Sequence, residues 1–175
     1  MINVVLYQPE KPQNTGNIMR TCVATNSFLH IIGPLTFSLD EKALKRAGMD
    51  YIQELNYRYY SSLEEFLKYL GKRKIYYITR YGYKSPDEVD FSHVEENVFV
   101  MFGKESSGIP HELLRNNLDF CLRLPMMPSA RSLNLSNCVA IVVYEILRQQ
   151  HYYGLATYEA IKGKDFLIEE NKHEK

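Results

Sequence analysis

The sequence predicts an α/β protein in which a mostly parallel sheet carries helices on both faces. Short apolar runs alternate along the chain with amphipathic helical patterns, which is the order of elements that builds a parallel sheet. The chain has 175 residues, enough for one domain with a single core, and its 45% hydrophobic and 24% charged residues are ordinary for a globular protein. These values argue against a mainly disordered, collagenous or disulfide-stapled chain.

Five strands and four helices account for this pattern. Each predicted strand is an apolar run that ends near a glycine or a proline: Ile2–Tyr7, Phe28–Ile32, residues 75–79, Val98–Phe102 and residues 121–124. Asn14 or Thr15 should cap a first helix that extends to about Thr25. Two capping boxes, each followed by a glycine stop, predict the next two helices: Ser38-x-x-Glu41 with Gly48, and Ser62-x-x-Glu65 with Gly71.

The fourth helix, from about Asn134 to Gln150, differs from the others because ten of the thirteen residues from Leu135 to Leu147 are apolar or tyrosine. A helix that is apolar all round must be covered all round. The sheet of so short a chain covers one side only, so we expect the other side to meet a second copy of the chain in a homodimer. The alternative is a helix sunk at the centre of one core.

One globular domain is expected over residues 1–155, followed by a C-terminal helix or charged tail over residues 156–175, because the composition turns charged after Gly154. Cys22, Cys121 and Cys138 form no C-x-x-C pair, so neither a disulfide framework nor a zinc site is indicated, and the five histidines show no metal-ligand spacing. No apolar stretch approaches the roughly 20 residues of a membrane span. We therefore expect a cytoplasmic protein with no metal and no membrane segment.

Three loops are candidate binding sites because each follows a strand at the carboxyl edge of the predicted sheet, where open α/β folds bind their ligands. The first, residues 8–20, is rich in proline and leads into a helix N-terminus, which attracts anions. Arg20 follows Asn14 by six residues in this segment. The alternative explanation is that Asn14 and Thr15 are helix caps and Arg20 is a solvated charge.

The second loop, FGKESSGIP at residues 102–110, has glycines at positions 103 and 108, a spacing that suggests a backbone bent around a ligand. It is similar to the front half of a phosphate-binding P-loop, but Ile109 and Pro110 stand where that motif needs Lys and then Ser or Thr. Hydrolysis of a nucleoside triphosphate is therefore not indicated. A tight strand-to-helix turn with an exposed Glu105 is the alternative.

The third loop, residues 124–137, crowds polar side chains at the start of the apolar helix: Arg131, Ser132, Asn134, Ser136 and Asn137. Helix capping accounts for one or two of them. Because each polar group buried there must find a hydrogen-bonding partner, the pattern favours a binding site.

Two basic segments bear on the choice of partner. Residues 72–84 interleave five cations with four tyrosines, which is the composition of a nucleic-acid surface, although a buried strand with charged ends also explains it. Lys42, Lys45 and Arg46 form a second cluster, for which a solvated helix face is the simpler explanation. The net charge is zero, from 21 basic and 21 acidic residues, so any polyanion must be met by a local cluster of cations.

Taken together, the three loops resemble the three motifs of the SPOUT superfamily of RNA methyltransferases. The matching stretches are PQNTGNIMR at residues 12–20, FGKESSG at residues 102–108, and residues 125–137, which run from PMMP to RSLNLSN. The short chain and LKRAGMDY at residues 44–51 resemble the TrmL (YibK) family of tRNA 2′-O-methyltransferases, which act on the wobble nucleotide. The resemblance covers about residues 2–150, with Gln13, Ser107 and Cys138 as departures from the family pattern.

The resemblance implies a SPOUT-type deep trefoil knot near the C-terminus, a homodimer, and S-adenosylmethionine as a cofactor that needs no metal. It places six residues around the cofactor: Ile78, Thr79, Gly103, Leu124, Ser132 and Leu133. It also implies a catalytic centre formed by Arg20 and Asn14, with Glu105, Ser132 and Asn134 in support. Because a guanidinium stays protonated in proteins, we expect Arg20 to bind the adjacent phosphate and stabilise the developing alkoxide rather than act as a base.

The implied activity is methyl transfer to the ribose 2′-hydroxyl of the wobble nucleotide of tRNA, a cytidine or a modified uridine. The alternatives are methylation of another tRNA or rRNA nucleotide, a catalytically silent RNA-binding dimer, and a small nucleotide-binding protein. In a dimer that binds tRNA, the cations of both subunits should converge at one seam: Arg20, Lys45, Arg46 and those of residues 72–84.

Overall fold

A six-stranded parallel sheet forms the centre of the protein, in a computed structural model that describes residues 1–39 and 54–168. Every described strand pairs in parallel with its neighbours, in the order β3-β2-β1-β5-β4-β6. The predicted parallel sheet is therefore confirmed. The strands are β1 (Ile2–Tyr7), β2 (Phe28–Ile32), β3 (Tyr57–Tyr60), β4 (Ile75–Ile78), β5 (Val98–Phe102) and β6 (Cys121–Leu122).

Helices cover both faces of the sheet, as predicted. They are α1 (Pro12–Ala24), α2 (Leu63–Leu70), α3 (His111–Arg115) and α4 (Leu135–Gln149), with short 3₁₀ turns at Pro86–Glu88 and Leu118–Phe120. Successive residues of a strand point to opposite faces. Val4 accordingly packs into the apolar cluster that contains α1 and α4, while Val5 packs into the cluster that contains α2 and α3.

The sequence does not predict the edge strand β3. Tyr57, Arg58 and Tyr59 are exposed and only Tyr60 is buried, so this strand lacks the apolar run by which the others are recognised. The strands β4 and β6 end at Ile78 and Leu122, slightly earlier than predicted, because the chain leaves the sheet there to form loops.

Helix α1 begins at Pro12, and its N-cap residue Lys11 makes no side-chain hydrogen bond. Proline suits the first helical position, where its missing N–H would have no partner in any case. The prediction that Asn14 or Thr15 caps this helix is therefore wrong. The Asn14 side chain instead bonds with Glu105 and Asn134, far away in the sequence.

Helix α2 begins as predicted, since the Ser62 hydroxyl accepts a hydrogen bond from the N–H of Glu65 at 3.3 Å. The Glu65 carboxylate accepts from Ser61 rather than from Ser62, so the reciprocal half of the predicted capping box is displaced by one residue. Gly71 follows the helix with a φ of +60°, which glycine adopts readily. The helix predicted between Ser38 and Gly48 lies almost wholly outside the described residues.

Helix α4 is buried on one side only. Its inward face packs against α1 and β1, and Val139, Val142 and Ile146 are completely buried. On the opposite face, Ile141 and Tyr144 are 46% and 49% exposed. The alternative of a helix sunk at the centre of one core is therefore wrong.

The carboxyl-terminal segment leaves the core soon after α4. Leu155 still packs against the core, and most of residues 156–168 are exposed. Among the described helices, none combines the length and the apolar character that crossing a membrane requires.

Candidate active site

A cavity of about 560 Å³ opens at the carboxyl edge of the sheet. Its walls are the loops that follow β4, β5 and β6 and the first turn of α1. Open α/β sheets bind ligands at this edge, and a cavity of this volume suits a small organic cofactor. The cavity is therefore the candidate active site.

The tight turn of the loop after β5 depends on two glycines, Gly103 and Gly108. Lys104 and Gly108 exchange backbone hydrogen bonds of 3.1 and 3.0 Å, which fold this loop into a tight turn. A Cβ on Gly103 would lie 2.2 to 2.6 Å from backbone atoms of Gly108 and Ile109, and Gly108 itself has a φ of +72°. Neither position accommodates a side chain without rearrangement. The bend therefore presents backbone groups to a ligand.

The loop after β4, residues 79–85, lies against β6 and is called the β4 loop below. The Thr79 N–H donates to the Leu122 carbonyl at 2.9 Å, and the Arg123 N–H donates to the Lys84 carbonyl at 2.8 Å. Between these bonds, Gly82 approaches the β6 segment so closely that a Cβ would lie 2.5 to 2.8 Å from backbone atoms there. The β4 loop is thus fixed at both ends and at its middle.

The Glu105 carboxylate joins the loop after β5 to the start of α1. It accepts hydrogen bonds from the N–H of Glu10 at 2.8 Å, from the N–H of Lys11 at 3.2 Å and from the side-chain amide of Asn14 at 2.9 Å. Glu105 therefore acts as an acceptor that holds three donors in place.

Two asparagines extend this connection to helix α4. The Asn14 oxygen accepts from the Asn134 amide at 3.0 Å. The Asn134 oxygen accepts from the N–H of Ser136 at 2.9 Å and from its hydroxyl at 2.7 Å, and it thereby caps α4. We call the series Glu105, Asn14, Asn134 and Ser136 the polar relay.

The two ends of the polar relay determine the orientation of both amides. The Glu105 carboxylate can only accept and the Ser136 N–H can only donate, so each asparagine must direct its NH₂ group towards Glu105 and its oxygen towards Ser136. The hydrogen bonds join residues that are 91 and 120 positions apart in the sequence. The relay therefore aligns the loops around the cavity with one another.

A second carboxylate strengthens the contact between the first two loops. Glu10 accepts from the hydroxyl of Ser106 at 2.7 Å and from its N–H at 2.8 Å. These hydrogen bonds, first that of the hydroxyl and then that of the N–H, favour the charged carboxylate and lower the pKa of Glu10 below its ordinary value. Each loop thus contributes one carboxylate that accepts donors from the other.

Nine of the ten predicted site residues line the cavity. They are Asn14, Ile78, Thr79, Gly103, Glu105, Leu124, Ser132, Leu133 and Asn134. The tenth, Arg20, lies on the exposed face of α1 and does not line the cavity. Six residues separate Arg20 from Asn14, and at 3.6 residues per turn this spacing puts the two side chains on different sides of the helix.

Several cations line the cavity without being among the ten predicted site residues: Lys11, Arg80, Lys104 and Arg123. The sequence does contain a signal for Arg80, because this residue directly follows a predicted strand, as the three candidate loops do. Of the β4 loop, only Thr79 is predicted at the site, through the family resemblance, whereas the sequence places Arg80 only in the basic segment 72–84.

Residues 72–84 do not form one surface. Lys72, Arg73 and Lys74 precede β4, whereas Arg80 and Lys84 follow it, so the two groups lie at opposite edges of the sheet. Tyr77, between them, is buried in the strand. The alternative explanation of this segment, a buried strand with charged ends, is therefore confirmed, and of the five cations only Arg80 lines the cavity. The other predicted cluster, Lys42, Lys45 and Arg46, falls outside the described residues.

The chemistry of the cavity is that of an organic ligand site. Across residues 1–39 and 54–168, no three His, Cys, Asp or Glu side chains are grouped so that they could hold a metal ion. The cavity combines apolar side chains such as Ile78, Leu124 and Leu133 with the glycine bend and with the amides of the relay.

A parallel α/β sheet with a glycine-walled cavity at its carboxyl edge defines a class of proteins that bind a nucleotide-like cofactor through backbone groups. Sequence comparison identifies the group within that class. The chain belongs to the SpoU rRNA Methylase family, whose sequence model matches residues 1–144.

Curated relatives align over most of the chain. It is 54% identical over 154 residues to a Bacillus subtilis (strain 168) protein named "Putative tRNA (cytidine(34)-2'-O)-methyltransferase", an alignment that covers 88% of this chain and 96% of that protein. It is 44% identical over 156 residues to the tRNA (cytidine(34)-2'-O)-methyltransferase of Methylovorus glucosotrophus (strain SIP3-4), covering 88% of this chain and 99% of that protein.

A solved structure supports the same relationship. The chain superposes with a TM-score of 0.77 and 39% identity on a structure described as "Structural insights into the 2-OH methylation of C/U34 on tRNA". The superposition covers 86% of this chain and 91% of the other.

Proposed function

We propose that this protein transfers a methyl group from S-adenosylmethionine to the ribose 2′-hydroxyl of nucleotide 34, the wobble position, of a tRNA. The observation that carries the proposal is the convergence of nine predicted site residues, from four separate segments, on one cavity. The names of relatives at 44% and 54% identity, aligned over nearly their whole length, supply the substrate and the position.

The cavity residues fit the cofactor. Ile78, Leu124 and Leu133 offer apolar surface for the adenine, and the glycine bend at Gly103 brings backbone groups close to it without an intervening side chain. Thr79 and Ser132 add hydroxyl groups at the same wall. When bound, S-adenosylmethionine supplies a methyl group that is already activated by the positive sulfur.

The protein must then orient the ribose hydroxyl and stabilise the negative charge that develops on its oxygen as the proton leaves. Asn14 and Asn134 are held in fixed orientation by the polar relay, so either amide can position the ribose at the cavity. Glu105 maintains this arrangement through its three donors. We assign Arg20 to binding the adjacent phosphate and stabilising the alkoxide.

A homodimer through α1 and α4 is part of this proposal. The two helices pack together, so their outward faces are adjacent, and the outward face of α4 exposes Ile141 and Tyr144. Arg20 lies on the outward face of α1. In such a dimer Arg20 would lie at the subunit boundary, where it can serve the cavity of the partner.

The proposal also includes the deep trefoil knot, which is supported by two connections that pack on one face of the sheet. The segment that joins β4 to β5 and the segment that joins β6 to α4 lie on the same face of the sheet. The end of α4 bonds to the first of these segments, since the Gln150 amide donates to the Phe91 carbonyl at 2.9 Å, and its beginning bonds to α1 through Asn134.

We further propose that residues 1–155 form the methyltransferase domain and residues 156–175 an appended helix or tail. Leu155, the last residue of the proposed domain, still contacts the core. The proposed substrate places the protein in the cytoplasm, where tRNA is modified.

The proposal is tested by methyl transfer to tRNA from a strain that lacks this protein. Purified protein and labelled S-adenosylmethionine should introduce one methyl group at the ribose of nucleotide 34, located by mass spectrometry of the digested tRNA. The Arg20→Ala variant should lose roughly a hundredfold or more of this activity and still bind S-adenosylhomocysteine in calorimetry.

Arg115→Ala, which removes an exposed cation from α3, serves as the matched control and should methylate normally. Normal turnover of Arg20→Ala would remove Arg20 from the mechanism. Binding of S-adenosylhomocysteine and of tRNA without methyl transfer would favour the silent RNA-binding dimer. Binding of ATP and not of S-adenosylhomocysteine would favour a small nucleotide-binding protein.

A further inference from the structure

Two tyrosines of the β4 loop have no part in the proposed methyl transfer. Tyr83 is 83% exposed and Tyr81 is 51% exposed. Tyr81 lines the cavity, and Tyr83 follows it by two residues. Their exposure beside the candidate active site calls for a partner.

The backbone of the β4 loop holds both tyrosines at the surface. Gly82, between them, presses against the β6 segment, where no Cβ fits. Bonds from Thr79 to Leu122 and from Arg123 to Lys84 hold the two ends of the loop. The tyrosines are therefore displayed on a fixed segment, and little conformational freedom is lost when a ligand contacts them.

Neighbouring groups also hold the Tyr81 ring. The His111 ring meets it edge to face, with centroids 5.2 Å apart at 87°, and the Arg80 guanidinium lies 5.9 Å from its centroid. The Arg80 carbonyl in turn accepts a hydrogen bond from the Arg123 guanidinium at 2.7 Å. Tyr81 is thus supported at its edge and accessible to solvent over about half of its surface.

The charge around these rings is positive. Among the described residues that line the cavity, five are cations and Glu105 is the one acid; the cations are Lys11, Arg80, Lys104, Arg123 and Arg131. The Glu105 oxygens already accept three hydrogen bonds. The mouth of the cavity therefore attracts a polyanion although the whole chain has no net charge.

We propose that Tyr81 and Tyr83 form a stacking platform for unpaired bases of the RNA substrate next to the methylated nucleotide. Exposed aromatic rings set among cations are the combination that binds single-stranded nucleic acid, because the rings stack on bases while the cations meet phosphates. A paired stem presents no free base faces to such rings. The platform therefore selects a nucleotide within a loop, and the inference rests on the proposed function of the cavity.

The test compares two fluorescently labelled RNAs, an anticodon stem–loop and a fully paired two-stranded duplex with the same number of nucleotides, by anisotropy at one fixed salt concentration. Tyr83→Ala and Tyr81→Ala should each weaken binding of the stem–loop by roughly tenfold, which is the usual loss for one stacked base. Tyr83→Phe retains the ring and should stay within about twofold of the unmodified protein. Binding of the paired duplex should not change.

Tyr158→Ala is the matched control, because Tyr158 is 66% exposed and lies outside the cavity. Calorimetry with S-adenosylhomocysteine should give the affinity of the unmodified protein for the Tyr83 and Tyr158 variants, neither of which alters the cavity lining, and this shows that the cavity is intact. Equal binding of the stem–loop by the unmodified protein and both alanine variants would overturn the platform, and so would an equal loss for both RNAs. If the unmodified protein transfers no methyl group to tRNA, the proposed function itself is wrong. The methyl-transfer assay shows that outcome independently of the binding assay.

Discussion

Glu105 illustrates how one side chain in this protein organises others without reacting itself. Its carboxylate accepts from two backbone N–H groups of the first loop and from Asn14, which sets the direction of the polar relay. Through these three hydrogen bonds one carboxylate holds the two loops together. We therefore regard Glu105 as a positioning residue.

Replacement of Glu105 by Gln should show this role. The amide of the new side chain has one oxygen that can accept, and its NH₂ group must face donors that now have no acceptor. We therefore expect the free energy of unfolding to fall by about 1–3 kcal/mol. Methyl transfer should fall as well, with a larger change in kcat than in the affinity for S-adenosylhomocysteine. Urea denaturation and steady-state kinetics measure the two effects.

Glu112→Gln provides the comparison, since Glu112 is exposed in the first turn of α3. It should leave stability and turnover close to those of the unmodified protein. If Glu105→Gln behaves in the same way, the three hydrogen bonds have no organising role.

His30 is a completely buried polar residue in β2. Asn3 donates through its NH₂ group to the Met1 carbonyl, so its oxygen faces His30 Nε2 at 3.1 Å and accepts from it. Nδ1 is then free to accept from the Tyr60 hydroxyl at 2.8 Å. Burial, and secondly the charges of Arg73 and Arg58, lower the pKa of His30 from 6.5 to about 4.

The lowered pKa of His30 predicts a loss of stability in mild acid. The unfolded chain takes up a proton as the pH falls below about 6.5, whereas the folded protein resists until about pH 4. The neutral histidine therefore contributes fully above pH 6.5, and on the order of 3 kcal/mol is lost as the pH falls from 6.5 towards 4. Urea midpoints measured across this range should decline accordingly.

His30→Gln should be less stable at pH 7 and show a shallower decline, because the group that titrates has been removed. His93→Asn removes an exposed histidine and should retain the full decline. Equal slopes in the unmodified protein and in His30→Gln would contradict the assignment.

At the scale of elements, the sequence best predicts those strands whose two faces are both buried. The strands β1 and β5 are apolar nearly throughout because both of their faces are buried, and such runs are visible without knowledge of the fold. The edge strand β3 was missed for the opposite reason, since three of its four residues face solvent.

The start of α1 shows a limit of local reasoning. Asn14 has the chemistry of a helix cap, and nearby residues give no reason to expect otherwise. Its actual partners, Glu105 and Asn134, are separated from it by 91 and 120 positions. The family resemblance brought these residues together as members of one site, but the order of hydrogen bonds in the relay required the folded structure.

At the scale of the whole molecule, the zero net charge conceals an uneven distribution. The cations at the cavity mouth lie on loops that the sheet brings together, whereas those before β4 lie at the far edge. Composition could state only that a polyanion needs a local cluster. The position of that cluster depends on strand order, which places the loops after β4, β5 and β6 side by side.

The proposed dimer predicts a specific effect of charge on the outward face of α4. Tyr144→Asp should convert the protein to a monomer, because a buried, unpaired carboxylate at the centre of an interface is costly. The monomer should remain folded, since Tyr144 is 49% exposed in the single chain. Sedimentation measures the mass, and thermal unfolding checks the fold.

Tyr57→Asp is the control, as Tyr57 is 40% exposed on the edge strand β3, away from α4. It should leave the mass unchanged. A monomeric unmodified protein, or an unchanged mass for Tyr144→Asp, would contradict dimerisation through this face.

The polar relay has a consequence for the order in which the protein matures. Its members come from α1, from the loop after β5 and from the cap of α4, so the last of them leaves the ribosome only after more than two-thirds of the chain has been made. Contacts so distant in sequence form late and slowly. Cofactor binding should therefore appear at the end of refolding, after the sheet itself, and a nascent chain cannot acquire the cofactor before α4 is in place.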